Sequence, residues 1–137
     1  MRILLDANIL ISAALFPNSI VSKVLDFIII NHSIVICQYT IEEIEIVFQK
    51  KFPQRIDGFY SFLEALDFEL VTLDFKNLDN YPSLRDKKDT PLLACAIDST
   101  VDILLTGDKD FFGIDIKSPK ILNPREFFEE YIFPKKF

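Results

Sequence analysis

Histidine, glycine and cysteine are scarce in this chain of 137 residues, which contains one, three and two of them. The single histidine, His32, leaves no second imidazole for a zinc site or a histidine relay, and we interpret it as a loop residue between a helix and a strand. With little glycine and scattered prolines, there is no linker, repeat or low-complexity tract. Cys37 and Cys95 each lie in an apolar run, which indicates buried free thiols rather than a disulfide framework. We therefore expect one domain, residues 1–137, in a reducing cytoplasm.

Basic residues are also in deficit, with 15 Lys and Arg against 21 Asp and Glu, for a net charge of −6. This balance argues against a protein that holds nucleic acid mainly through a broad basic surface. The hydrophobic content of 50% is enough for a core. No apolar run reaches the length needed to span a bilayer, since Asp6 and Asn8 interrupt the one near the amino terminus. We expect no membrane association.

Short apolar runs alternate with helical patterns along the chain. Runs of strand length lie at residues 2–5, 34–37, 68–73, 103–105 and 120–122, and their continuous character is typical of strands buried on both faces. Apolar spacing and capping signals predict helices over 20–31, 40–52, 56–66, 89–99 and 123–131. This alternation predicts an α/β fold, a three-layer α/β/α sandwich around a mostly parallel central sheet of four to five strands.

Five carboxylates lie where this fold would bring strand ends and helix starts together. Asp6 follows the first strand, Glu43 is near the start of the helix after the second, and Asp89 precedes the fourth strand by one helix; Asp108 and Asp110 follow that strand. The carboxyl ends of parallel strands and the helix amino termini share one edge of the sheet. Clustered carboxylates repel one another without a cation, and hard oxygen ligands suit Mg²⁺ or Mn²⁺. The pattern favours metal-assisted phosphate ester chemistry.

Each of these acids also has a purely structural interpretation. Thr40 and Glu43 have the spacing of a capping box, Asp89 can be a helix N-cap, and Asp108 and Asp110 can form a turn. An aspartate at a strand end can likewise accept backbone N–H bonds at a helix start. Independent caps need not face one crevice, however, so the joint placement favours a functional site.

Five stretches spread over nearly the whole chain resemble the PIN-domain family, in particular its bacterial VapC-type toxins. They are LLDANILISAAL, TIEEIEIVF, RDKKDTPLLACAI, DILLTGDKDFF and ILNPREFFE. The resemblance implies a metal-dependent endoribonuclease in which Asp6, Glu43, Asp89 and Asp108 form the catalytic quartet that holds Mg²⁺ or Mn²⁺. It also implies an RNA substrate, an antitoxin whose tail covers the active site, and a homodimer.

The resemblance further implies supporting positions around the quartet. Asp110 and Asp86 are similar to auxiliary acids, with Asp110 as a further metal ligand. Asn8, Ser12 and Thr106 are similar to small polar positions that order the carboxylates or shape the turn after the first strand.

Two parts of this predicted site have open alternatives. Glu42 is adjacent to Glu43, and we prefer Glu43 because the family pattern places its acid directly before an apolar helix residue, here Ile44. Lys87 and Lys88 end a long polar stretch, residues 74–88, that is typical of a solvated loop. These lysines either guide an RNA backbone towards the acids or are simply solvated.

Three other functions fit part of the pattern. One is a housekeeping RNA-processing PIN nuclease, and another is a PIN-like interaction module without catalysis. The third is a receiver-type phosphoacceptor, which also places aspartates at strand ends and would use Asp74 after the third strand. A receiver requires an acid beside Asp6 and a lysine after the last strand, and the sequence has neither.

Overall fold

Strands and helices alternate along the chain in the computed structural model, which describes residues 1–74, 80–82, 84 and 89–134. The strands are β1 (Arg2–Leu5), β2 (Ser33–Cys37), β3 (Phe68–Val71), β4 (Ile103–Leu105) and β5 (Lys120–Leu122). The α-helices are α1 (Ala7–Leu15), α2 (Ile20–Asn31), α3 (Gln38–Lys51), α4 (Ile56–Ala65), α5 (Thr90–Asp98) and α6 (Pro124–Phe127). Short 3₁₀ turns lie at Pro53–Arg55 and Lys109–Phe111, and a π-helical turn at Phe128–Ile132 extends α6.

The five strands form one parallel sheet in the order β3-β2-β1-β4-β5. In its register Leu5 of β1 is opposite Leu105 of β4, so these two strands end side by side. The predicted α/β fold with a parallel central sheet is therefore confirmed. A receiver would have the strand order 2-1-3-4-5, with the third strand beside the first. Here β3 is an edge strand, so the receiver hypothesis is wrong about the position of Asp74.

The inner strands β1, β2 and β4 are buried on both faces, and their successive residues point to opposite sides of the sheet. Ile3 and Leu5 belong to one core, which also contains buried side chains of α1, α2, α3, α4 and α6. Leu4 belongs to the other core, which contains α5 and Phe111. Helices on both sides give the three layers, and this double burial explains why the inner strands are apolar without alternation, whereas the edge strand β3 has two exposed residues, Glu69 and Leu70.

The beginnings of two helices differ from the sequence prediction. The sequence predicts no helix over residues 7–15, where the structure has α1, since a short apolar run does not distinguish a strand from a buried helix. Helix α3 begins at Gln38, directly after β2, and its N-cap residue is Cys37. Thr40 is therefore inside the helix rather than at its cap. The predicted capping box with Glu43 is wrong.

No single helix of the described residues has both the length and the apolar character needed to cross a membrane. Helices α1 and α2 pass that test only as a pair, and their axes are bent by 105°. Leu10 of α1 and Ile28 of α2 are fully buried in the core, as expected for helices packed on a sheet.

Candidate metal centre

Asp6 lies directly after β1 and is only 9% exposed. It is the N-cap of α1: its Oδ1 accepts a hydrogen bond of 2.6 Å from the backbone N–H of Ala7. Its Oδ2 accepts a bond of 2.5 Å from the Thr106 hydroxyl. Burial raises the pKa of Asp6, these two hydrogen bonds lower it, and the nearby charge of Asp108 raises it, with burial the largest effect. Asp6 is thus held in place while its charge is only partly compensated.

Thr106 joins Asp6 to the loop after β4. It is fully buried, and its backbone N–H is fixed by the carbonyl of Leu122 in β5 at 3.0 Å. Its hydroxyl donates to Asp6 and accepts a bond of 3.1 Å from the backbone N–H of Asp108. Asp108 then accepts a bond of 2.9 Å from the backbone N–H of Asp110. One hydroxyl therefore sets the position of two acids that are 102 residues apart in sequence.

Asp89, Asp108 and Asp110 form the tightest acidic group in the described residues. One carboxylate oxygen from each lies within 4.8 Å of the others, and all three side chains are half-buried. Asp89 occupies the N-cap position of α5 but makes no capping hydrogen bond, so the predicted cap interaction is wrong. Asp108 does cap the short 3₁₀ turn Lys109–Phe111, as the turn interpretation predicts. Oxygen ligands from half-buried carboxylates at this spacing fit a hard divalent cation.

Glu43 lies in α3 and is half-buried. Burial, and then the charge of Asp6, raise its pKa to about 7. Its neighbour Glu42 is exposed and accepts a hydrogen bond of 3.4 Å from the side chain of Gln38, one turn earlier. Because Glu43 is the partly buried acid of the two and the charge of Asp6 acts on it, we keep Glu43 rather than Glu42 as the proposed member of the site.

Asp6 therefore links Glu43 to the other acids: the charge of Asp6 raises the pKa of Glu43, and the charge of Asp108 raises the pKa of Asp6. None of Asp6, Glu43, Asp108 and Asp110 forms an ion pair with a basic residue in the described part of the chain. Like charges packed in this way favour protonation of one member or binding of a cation. Proton uptake by Glu43 and cation binding are the two ways in which the site can relieve its own repulsion.

The supporting residues predicted from sequence have different positions. Asn8 is exposed and Ser12 is half-buried, both on α1, and in the described residues neither side chain hydrogen-bonds to a carboxylate of the site. Asp86, Lys87 and Lys88 lie outside the described residues. The bond from the backbone N–H of Ala7 to Asp6 confirms the interpretation of a strand-end aspartate at a helix start, although the extent of α1 itself is not predicted from the sequence.

Comparison with other proteins gives one family and several similar folds. A family model described as PIN domain matches residues 2–110. The uncharacterized protein MJ1680 of Methanocaldococcus jannaschii is 29% identical over 147 aligned positions, covering 95% of this chain and 91% of that protein. VapBC2 from Rickettsia felis, solved with a DNA fragment from its promoter, has a similar structure at a TM-score of 0.69 and 20% identity, over 90% of this chain and 98% of that one. FitAB bound to an IR36 DNA fragment has a TM-score of 0.55 and 20% identity, over 89% of this chain and 94% of the other.

Proposed function

The chain belongs to the PIN-domain family, whose members are generally nucleases, and on that premise we propose that it is a divalent-metal-dependent endoribonuclease. The observation that carries the proposal is the group of three carboxylates, Asp89, Asp108 and Asp110, with oxygens within 4.8 Å of one another. The bonds of Thr106 to Asp6 and to the backbone of Asp108 attach a fourth carboxylate to this group.

The proposed roles follow from the contacts of each side chain. Asp89, Asp108 and Asp110 would hold Mg²⁺ or Mn²⁺, with Asp6 as a further ligand fixed by its own hydrogen bonds. When bound, the cation supplies Lewis-acid stabilisation of negative charge on a phosphodiester. Burial and the charge of Asp6 raise the pKa of Glu43 to about 7 in the metal-free protein, and a cation held beside Asp6 would favour its ionised form, so Glu43 would complete the acidic group around the metal.

We further propose that the protein is the toxin of a type II toxin–antitoxin pair, because its fold is similar to VapBC2 and FitAB. The partner would be an antitoxin that presents a basic side chain to the acidic crevice. Asp89 has contacts of its own, but the other acids of the crevice form no ion pair with a basic residue in the described part of the chain. A cytoplasmic location and a homodimer belong to the same proposal. Growth arrest on expression, relieved by the product of a neighbouring reading frame, would distinguish a toxin from a housekeeping nuclease.

RNA cleavage under controlled metal conditions tests the activity. The purified protein would be incubated with a mixed-sequence RNA in Mg²⁺, in Mn²⁺ and in chelator, together with the variants Asp6→Asn and Asp108→Asn. The control is Asp26→Asn, because Asp26 is an exposed aspartate on α2, away from the acidic group. We expect metal-dependent cleavage by the wild type and the control, and its loss in both site variants. Cleavage that persists in chelator, or in both site variants, would overturn the proposal.

A further inference from the structure

A cavity of about 450 Å³ lies beside the candidate metal centre and shares Asp110 with it. This volume is in the range of pockets that bind small organic groups. The apolar part of its wall comes from Pro82, Leu84, Phe112 and Ile114, and its polar part from Asp110 and Asp115. Leu84 and Ile114 belong to the core that contains α5, so the feature of the wall that this core does not account for is the exposed ring of Phe112.

The aromatic wall of the cavity follows from the path of the chain after β4. Phe111 is 1% exposed in the core that contains α5, so the next side chain, Phe112, faces outwards and is 36% exposed. Gly113 then takes a φ of +88°, in the left-handed region that favours glycine, and no atom beyond its two chain neighbours lies within 4 Å of where a Cβ would be. In the described residues Phe112 makes no ring contact with another aromatic side chain. The turn therefore presents an aromatic ring beside open space.

The charge of the cavity selects between the parts of a nucleotide. Its two charged wall residues are Asp110 and Asp115, and no described residue of the wall is basic. A phosphate would be repelled there, whereas a neutral group that donates hydrogen bonds would be attracted, because ionised carboxylates only accept them. Nucleobases are neutral, stack on aromatic side chains and carry N–H donors on their edges. Guanine offers an N–H and an amino group side by side to one carboxylate, whereas uracil offers a single N–H.

We propose that this cavity is a nucleobase subsite, which takes one unpaired, amino-bearing base of the RNA, guanine before the others, next to the phosphate that is cleaved. The base stacks on Phe112 and donates hydrogen bonds to Asp115. Asp110 fixes the distance between the base and the acidic group, because it belongs to both. The subsite rests on the proposed nuclease function for its place beside the cleaved phosphate, but binding of a free base to it does not require cleavage.

Binding of nucleosides tests the subsite without any catalysis. Guanosine and uridine, which carry no phosphate, would be titrated into the protein in chelator, and backbone amide resonances of Phe112 and Gly113 would be followed by NMR. We expect guanosine to shift these resonances at millimolar concentration, with an affinity about tenfold above that of uridine. Phe112→Ala should weaken guanosine binding about tenfold, the order expected for a lost base–aromatic stack. Asp115→Asn should remove the preference over uridine.

The controls are Phe16→Ala, which removes another exposed aromatic ring at the end of α1, and Asp26→Asn. Both should bind guanosine like the wild type. Equal binding of the two nucleosides, or unchanged guanosine binding in Phe112→Ala and Asp115→Asn, would overturn the subsite.

Cleavage assays separate this proposal from the nuclease proposal. With Mn²⁺ and RNAs that differ at one unpaired base, Phe112→Ala should raise KM about tenfold for the guanine-containing RNA with little change in kcat, and Asp115→Asn should level the base preference. Metal-dependent cleavage with no base preference and no effect of either variant would overturn the subsite and leave the nuclease intact. Specific guanosine binding by a protein that cleaves no RNA would support base binding in the cavity and overturn the nuclease.

Discussion

Glu43 should make the metal-free protein less stable as the pH rises through neutrality. Burial, followed by the charge of Asp6, raises the pKa of Glu43 from its ordinary 4.5 to about 7. A carboxyl group with a higher pKa in the folded than in the unfolded state binds its proton more tightly when folded. Its contribution to stability is therefore fully present below about pH 4.5 and is lost as the pH rises to about 7. Asp6, whose pKa burial also raises, adds an effect of the same sign.

The size of this effect follows from the pKa change and from the exposure of the side chain. Each pKa unit corresponds to about 1.4 kcal/mol, so a wholly buried group with this change would contribute about 3 kcal/mol. Glu43 is only half-buried, and solvent screens part of its repulsion with Asp6. We therefore expect the free energy of unfolding to fall by about 1–2 kcal/mol between pH 5 and pH 8 through Glu43.

Urea unfolding in chelator at several pH values between 5 and 8 measures this directly. Glu43→Gln keeps the shape of the side chain but cannot titrate. Between pH 5 and pH 8 the free energy of unfolding of this variant should therefore fall by about 1–2 kcal/mol less than that of the wild type. Glu42→Gln is the matched control, because Glu42 is the adjacent, exposed acid of the same helix. It should follow the wild type. A Glu43→Gln protein with the same pH dependence as the wild type would refute the reasoning.

A divalent cation should reverse the pH dependence, because it binds the ionised carboxylates. At a Mn²⁺ concentration one hundred times its dissociation constant, the folded state gains about 2.7 kcal/mol. This gain should be larger at pH 8 than at pH 5, where protons compete for the same oxygens. Unfolding curves that Mn²⁺ does not shift at any pH would contradict a cation site at these acids.

Three further substitutions probe the parts of the structure that support the site. Thr106→Val removes the hydroxyl shared by Asp6 and Asp108, so it should lower the free energy of unfolding by about 1–3 kcal/mol and weaken Mn²⁺ binding about tenfold. Thr106→Ser keeps the hydroxyl and should retain the stability and the Mn²⁺ affinity of the wild type. Equal behaviour of the two variants would contradict this role. Phe127→Ala empties a fully buried position and should cost about 3–5 kcal/mol in urea unfolding without changing Mn²⁺ affinity measured by calorimetry. Asn123→Ala breaks the capping box of α6 and should cost about 1 kcal/mol, and a cost near zero would mean that the cap is not needed.

The fold could be predicted from the sequence because its inner strands, β1, β2 and β4, are buried on both faces. Continuous apolar runs such as residues 34–37 are typical of such strands when helical patterns separate them. Helix α1 was not predictable in the same way, because it is also apolar and directly continues the run that begins in β1. The sequence prediction places the beginning of α3 two residues too late for a related reason: β2 passes into the helix at Cys37 with no polar cap between them. Local pattern fails where two elements join without a connecting loop.

The acidic group was predictable in outline but not in its contacts. The topology alone brings Asp6, Glu43, Asp89 and Asp108 to one edge, because the carboxyl ends of parallel strands share it. The bond between Thr106 and Asp6 spans 100 residues, and no spacing rule in the sequence indicates it. Likewise, the sequence does not indicate that the backbone is already helical at Asp89. An N-cap residue normally has an extended backbone, and Asp89 makes no capping hydrogen bond.

The strand order explains why Asp6 has its unusual position in an apolar stretch. From β1 the chain moves outwards to β2 and β3, and then crosses to β4 and β5 on the opposite side of β1. The loops after β1 and β4 therefore diverge, which leaves a crevice at their carboxyl ends, the place where open α/β sheets bind ligands. A central strand must be apolar to be buried on both faces, but its first residue beyond the sheet faces this crevice. Asp6 occupies that residue, so the apolar run and its one carboxylate follow from the same position in the sheet.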